Sequence, residues 1–136
     1  MAKLLTFVDT GILITAARGQ NLSLKLKALA IINDPQREFA SSRFVWLETM
    51  PKAVWVKNQA ERILYETFFN SVTHWPPDYD AVIARAEKEA PIHGLGGMDA
   101  LHIAAAVLLG ADELVTIERP EKSIHRTQSI KVVSIH

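Results

Sequence analysis

The short apolar run Leu4 to Val8 stops at a carboxylate, Asp9. A continuous run of this kind lacks the alternation of a strand with one wet face, so it reads as a strand buried on both sides. Strands of that type belong to parallel sheets covered by helices. Asp9 then stands where the strand gives way to a turn, with Gly11 helping the chain change direction.

The other segments agree with that frame. Leu22, Leu26, Leu29 and Ile32 recur at helical spacing after a cap at Asn21 or Ser23, and Asp34-Pro35 ends the helix. Glu38 to Ser41 reads as a second strand. Phe44 to Val56 has helical character, but Pro51 lacks the backbone donor, so the helix either kinks there or begins there. Ala60, Ile63, Leu64 and Phe68 mark a further helix, and Val82, Ile83, Ala86 and Ala90 the next, separated by the breaker Trp75-Pro76-Pro77-Asp78. Gly94 to Gly97 reads as a loop. Met98 to Leu109 is almost wholly apolar and predicts a buried central helix ended by Gly110. Leu114 to Ile117 and Lys131 to Ile135 complete the strands. Strands alternating with helices, without long linkers, predict an α/β fold on a parallel sheet.

A chain of 136 residues, 49% of them hydrophobic, can bury one self-sufficient core, so residues 1–136 read as a single domain. There is no cysteine, which excludes disulfides and thiolate metal sites. Asp9 interrupts the N-terminal apolar run, against a signal peptide. The uncharged stretch Ile103 to Ala111 is too short to span a bilayer. A cytoplasmic protein with no membrane partner is expected. Net charge is zero, although residues 1–58 carry eight Lys and Arg against four acids and residues 59–136 carry seven against eleven. That balance does not advertise nucleic-acid binding, but it permits a basic rim beside an acidic pocket.

In parallel α/β sheets, ligands bind beyond the carboxyl ends of the strands. Asp9 follows Phe7-Val8 and Glu118 follows Val115-Thr116-Ile117, so both acids satisfy that rule. Asp99 opens the buried helix, where the helix dipole favours a carboxylate, and Glu48 interrupts an apolar segment. Each has a plain alternative: a turn or cap for Asp9, a cap for Asp99, an exposed helical acid for Glu48, a loop acid for Glu118. As a group they say more, because carboxylates brought together repel unless a cation neutralises them. Mg²⁺ or Mn²⁺ with oxygen ligands does this, and suits phosphate-ester hydrolysis.

Four segments carry a family resemblance: Phe7-Val8-Asp9-Thr10 with Ile12-Leu13-Ile14 behind it, the Glu48 segment, Met98-Asp99-Ala100-Leu101-His102-Ile103-Ala104-Ala105-Ala106, and Gly110 to Glu118. Together they resemble the PIN-domain ribonucleases, particularly the small VapC-type toxins of toxin–antitoxin pairs. The resemblance implies a three-layer α/β/α fold with a central parallel sheet of four to five strands. It also implies Mg²⁺ or Mn²⁺ as cofactor and cleavage of single-stranded RNA. By position, Asp9, Glu48 and Asp99 would be the core ligands, with Thr116 and Glu118 completing the pocket. Thr10, Thr116, Arg43 and Lys52 are candidate substrate contacts, the last two flanking Glu48 as phosphate holders or as an ordinary solvated face. The chain departs from the family pattern where Glu118 replaces an aspartate, where Gly11 replaces an asparagine, at Pro51, and in Arg119-Pro120-Glu121.

His102 lies one helical turn from Asp99 and either orients it or is a satisfied core histidine. Trp46, Trp55 and Trp75 either stack RNA bases or pack in a core or dimer. A homodimer and an antitoxin partner follow from the resemblance. The competing reading is a PIN-like module that binds RNA or protein with little or no catalysis. Asp9-Thr10-Gly11 matches the aspartic-protease triplet, but the helical patterns speak against that mostly β fold. An aspartyl-nucleophile phosphatase needs a second aspartate where Gly11 stands.

Overall fold

The structure, a computed structural model, describes residues 2–136. Strand β1 (Leu4–Val8) leads into helices α1 (Thr10–Arg18) and α2 (Leu22–Ile32), and β2 (Arg37–Ala40) follows. Four helices come next: α3 (Arg43–Trp55), α4 (Gln59–Ser71), α5 (Tyr79–His93) and α6 (Gly97–Leu108). The chain closes with β3 (Glu113–Thr116), a 3-10 turn over Ser123–Arg126 and β4 (Lys131–Ser134).

The four strands form one parallel sheet in the order β2-β1-β3-β4. β1 and β3 are interior strands, which explains their apolar sequences: Phe7, Val8, Leu114 and Val115 are fully buried. Helices cover the sheet in two groups. α1 packs with α2, α3 and α4, while α5 pairs with α6, which lies on β3. This is the three-layer arrangement expected, with four strands. The chain moves from β1 to β2 on one side and returns to β3 on the other, so the crevice at the carboxyl ends of β1 and β3 is a topological switch point.

Three local expectations are corrected. The turn expected after Asp9 is instead helix α1. Its sequence, rich in β-branched residues and containing Gly11, has poor helix propensity, but burial of Ile12, Leu13 and Ala16 overrides that preference. Gly11 therefore does not serve a turn. A Cβ built there would lie 2.6 Å from Cγ2 of Ile117, so the glycine lets α1 approach the segment leading to Glu118. Helix α3 runs through Pro51 without ending. Pro51 and Leu47 are both exposed, Leu47 at 61%, so solvent can take the carbonyl that the proline leaves free. Finally, the glycine loop is shorter than expected. Gly94 ends α5 in the left-handed conformation at φ 64°, whereas Gly97 already belongs to α6.

Helix α6 is buried on most of its circumference. Ala100, Ile103, Ala104, Ala105 and Ala106 are all at or near zero exposure. These small side chains let the helix lie close to both β3 and α5. Among the described residues no helix is long and apolar enough to cross a membrane.

Gly11→Ala is expected to lower unfolding free energy by about 1–3 kcal/mol through overpacking against Ile117. Adding Ile117→Ala should remove most of that increment. A urea-unfolding double-mutant cycle with strictly additive changes would show that the two positions do not meet.

Candidate functional site

The sheet delivers Asp9 to the centre of the carboxyl edge. Its backbone is extended, it caps α1, and its Oδ1 accepts from the Thr10 N–H at 2.9 Å. Its Oδ2 accepts from the Thr116 hydroxyl, across the β1–β3 pair, at 2.8 Å. The Asp9 backbone N–H donates to the Val115 carbonyl at 2.9 Å. Asp9 is only 7% exposed, so these donors are what make a buried carboxylate tolerable.

Glu48 reaches the same place from α3. Its Oε1 accepts from the Thr10 hydroxyl and from His102 Nε2, both at 2.7 Å. Because a carboxylate only accepts, Nε2 of His102 carries the proton in this bond. The same nitrogen lies 3.8 Å from Asp9 Oδ1 and 3.5 Å from the Thr10 hydroxyl oxygen. His102 is 2% exposed, and its Nδ1 has no hydrogen-bond partner. The sequence offered two roles for His102, orienting Asp99 or filling the core. The structure instead points it at Glu48, a residue 54 positions away with no local signal to announce it.

Asp99, half-buried in the first turn of α6, completes the electrostatic picture. Burial first, and then the charges of Asp9, Glu118 and Glu48, push its carboxyl above the ordinary value, with His102 opposing. Glu48 shifts the other way, lowered first by its hydrogen bond to His102, with burial opposing and Thr10 assisting. For His102, burial works to lower the imidazole pKa, but the bond to Glu48 and the charges of Asp9, Glu48 and Asp99 outweigh it, so the net shift is upward. The imidazole thereby faces three of the acids, Glu48, Asp9 and Asp99.

Glu118 lies two residues beyond β3, half-buried. Its backbone N–H donates to the Thr116 hydroxyl at 3.1 Å, and its carbonyl accepts from His125 Nε2 at 2.9 Å. Thr116 therefore ties two acids together, while His125, to which the sequence assigned nothing, braces the second. Of the basic candidates, Lys52 is exposed one turn beyond Glu48 on α3. Arg43 is exposed at the start of α3, with its guanidinium carbon 5.5 Å from the centre of the Tyr79 ring. None of the three tryptophans is buried; Trp55 is 85% exposed.

The donor set fits a hard divalent cation. It consists of carboxylate oxygens, and the Asp99 carboxyl is pushed up first by its burial and then by the neighbouring charges of Asp9, Glu118 and Glu48. Asp9 keeps a lone pair on each oxygen and Glu48 keeps Oε2 free of protein donors. The side chains as they stand are not a closed cage, since among the described residues no three His, Asp or Glu groups converge as metal ligands.

Thr116→Val should destabilise the fold by about 1–3 kcal/mol, because it strands a buried Asp9 oxygen and the Glu118 amide. Denaturant unfolding showing a change below about 0.5 kcal/mol would mean the hydroxyl does not hold the site together.

Comparison with known proteins bears on this geometry. No curated protein sequence matches the chain. Three solved structures share its fold. One is VapBC2 from Rickettsia felis bound to a DNA fragment from their promoter, with 16% identity, a TM-score of 0.71, and coverage of 98% of this chain and 100% of that one. Another is VapBC-1 from nontypeable Haemophilus influenzae, with 19% identity, a TM-score of 0.69, and 96% and 98% coverage. The third is FitAcB from Neisseria gonorrhoeae, with 17% identity, a TM-score of 0.63, and 95% and 96% coverage. The family model for the PIN domain matches residues 6–118, a span that contains Asp9, Glu48, Asp99 and Glu118, and the chain belongs to the PIN domain family.

Proposed function

We propose that this PIN domain protein is a metal-dependent endoribonuclease that hydrolyses single-stranded RNA and serves as the toxin of a toxin–antitoxin pair. The observation that carries the reading is the gathering of acids at the carboxyl edge, where Asp9 and Glu48 meet around Thr10 and His102, and where burial together with their charges pushes the nearby Asp99 carboxyl up. Mg²⁺ or Mn²⁺ would be held by Asp9, Glu48 and Asp99, with Glu118 supporting a second ion or the attacking water. When bound, such an ion lowers the pKa of its water and polarises the phosphate. The chain's own contribution is positioning. Thr10 and Thr116 fix Asp9, and His102 with Thr10 fixes one oxygen of Glu48. Arg43 and Lys52 supply positive charge on α3 for substrate phosphates.

The toxin assignment is supported by the shared fold with the VapBC and FitAcB structures, and an antitoxin is the proposed protein partner. A groove between α2 and α4, with a volume of about 390 Å³ and lined by Leu29, Ile32, Ile63, Leu64 and Phe68, suits an apolar helix of such a partner. A homodimer in the cytoplasm is also proposed. The exposed Val54, Trp55 and Val56 at the end of α3 support it, and a strictly monomeric mass in light scattering at high concentration would count against it.

One observation favours the second reading, a PIN-like binding module with little catalysis: His102 already donates to Glu48 and lies 3.8 Å from Asp9, among the acids a metal would need. Calorimetric titration with Mn²⁺ separates the two. Wild type should bind Mn²⁺ and cleave RNA, with cleavage abolished by EDTA. Asp9→Asn and Asp99→Asn should each lose binding and reduce cleavage by at least about a hundredfold, the scale of removing electrostatic stabilisation from a reacting site. Wild type that binds no Mn²⁺ would leave the binding module standing.

A further inference from the structure

A second site lies at the same edge of the sheet, one strand over from Asp9. Both its walls spring from the end of β2. Ala40 bridges to His74, and the Ser41 N–H donates to the His74 carbonyl at 3.1 Å, which fixes Trp75-Pro76 beside the first turn of α3. Between them is a cavity of about 560 Å³ lined by Arg43, Trp46, Leu47, Trp75, Pro76 and Tyr79. That volume is within the range of about 300–1,000 Å³ typical of small-ligand sites.

The cavity is built of aromatic faces that are held in place. Arg43, Trp46 and Leu47 are spaced i, i+3, i+4 and so share one face of α3. Tyr79 is pinned because its hydroxyl accepts from the Arg43 N–H at 3.0 Å and its ring meets Phe44 edge-on at 5.6 Å. Trp75 leans on Phe69, with ring centres 5.9 Å apart. Trp46 and Trp75 nevertheless stay 41% and 36% exposed, so both side chains remain partly accessible. The Arg43 guanidinium has no carboxylate partner among the described residues. No acid lines the cavity.

We propose that this cavity is a nucleobase subsite, in which Trp46 and Trp75 stack an unpaired base of the RNA strand while Arg43 contacts a neighbouring phosphate. The proposal rests on the nuclease reading and names how that site would hold its substrate. Two independent features favour a base with its phosphate over an apolar protein side chain: a guanidinium that lies over Tyr79 without a carboxylate partner among the described residues, and the position of the cavity at the same carboxyl edge of the sheet as Asp9. Leu47 immediately precedes Glu48 on α3. β2 is the hydrogen-bonded neighbour of β1, and adjacent strands lie about 4.8 Å apart. A base seated here would belong to the same strand of RNA that passes the acids at this edge of the sheet. Stacking is tolerant of base identity, so the subsite would set strand position more than sequence.

The test measures anisotropy of a labelled eight-nucleotide uridylate RNA, and of an abasic ribose-phosphate chain of equal length, in EDTA so that no cleavage intervenes. Wild type should prefer the RNA by about tenfold or more, a stacking contribution of this size being typical per base. Trp46→Ala and Trp75→Ala, checked for folding by circular dichroism, should each lose most of that preference, and Trp46→Phe should keep it. Arg43→Ala should weaken both probes alike and flatten the salt dependence. Alanine variants that bind as wild type does, or a wild type that does not distinguish the two probes, would overturn the subsite. If wild type still cleaves RNA with Mn²⁺ in that case, the nuclease reading stands alone; if it neither binds nor cleaves, both fall. Trp46→Ala that turns a dimer into a monomer with RNA binding unchanged assigns the cavity to a protein contact and overturns the subsite as well.

Discussion

A carboxylate drawn out of water has to be met by donors, and much of this structure is arranged around meeting that requirement at Asp9. The residue follows the buried end of the interior strand β1, and each of its side-chain oxygens is answered from a different element: α1 through the Thr10 amide and β3 through the Thr116 hydroxyl. The backbone amide of Asp9 continues the parallel pairing into β3. Remove β3 and Asp9 loses its Oδ2 partner; remove α1 and it loses its Oδ1 partner. The start of α1, the register of β1 on β3 and the burial of Asp9 are therefore one constraint seen from three sides.

The surrounding acids extend the same logic. The bond from His102 lowers the Glu48 carboxyl, and Glu48, Asp9 and Asp99 raise the His102 imidazole against the opposing effect of its burial. Asp99 is the group for which no donor is left, and its carboxyl carries the residual cost as an upward shift. Opposite shifts among neighbouring carboxyls are common at sites that handle charge, since such sites keep groups in different protonation states side by side. Helix α3 joins this electrostatic centre to its rim, holding Glu48 inward while Arg43, Trp46 and Leu47 face the cavity beyond β2.

The frame of the fold was legible because burial writes itself into composition. The two interior strands carry the buried apolar pairs Phe7-Val8 and Leu114-Val115, and α6 is apolar apart from Asp99 and His102, so their placement follows from sequence. The acids were legible for the same reason: a charge at the end of a buried strand needs an explanation. What stayed hidden depends on contacts between distant parts of the chain. α1 looks like a turn until Ile12, Leu13 and Ala16 have a core to enter. Gly11 looks like a hinge until Ile117 is known to face it. The alliance of His102 with Glu48, the brace from His125 to Glu118 and the cavity formed by α3 with Trp75 each join residues that no spacing rule connects.

The alanines of α6 carry a consequence beyond filling space. Ala100, Ala104, Ala105 and Ala106 are the thinnest side chains that keep a helix regular, and they are buried where α6 packs against its neighbours. Asp99 and His102 ride on that helix, so their distance from Asp9 and Glu48 is set by the radius of methyl groups that touch no substrate. The helix behaves as a spacer whose thickness is spelled in alanine. Side chains with no chemistry of their own thereby hold the tolerance to which the acids of the site are aligned.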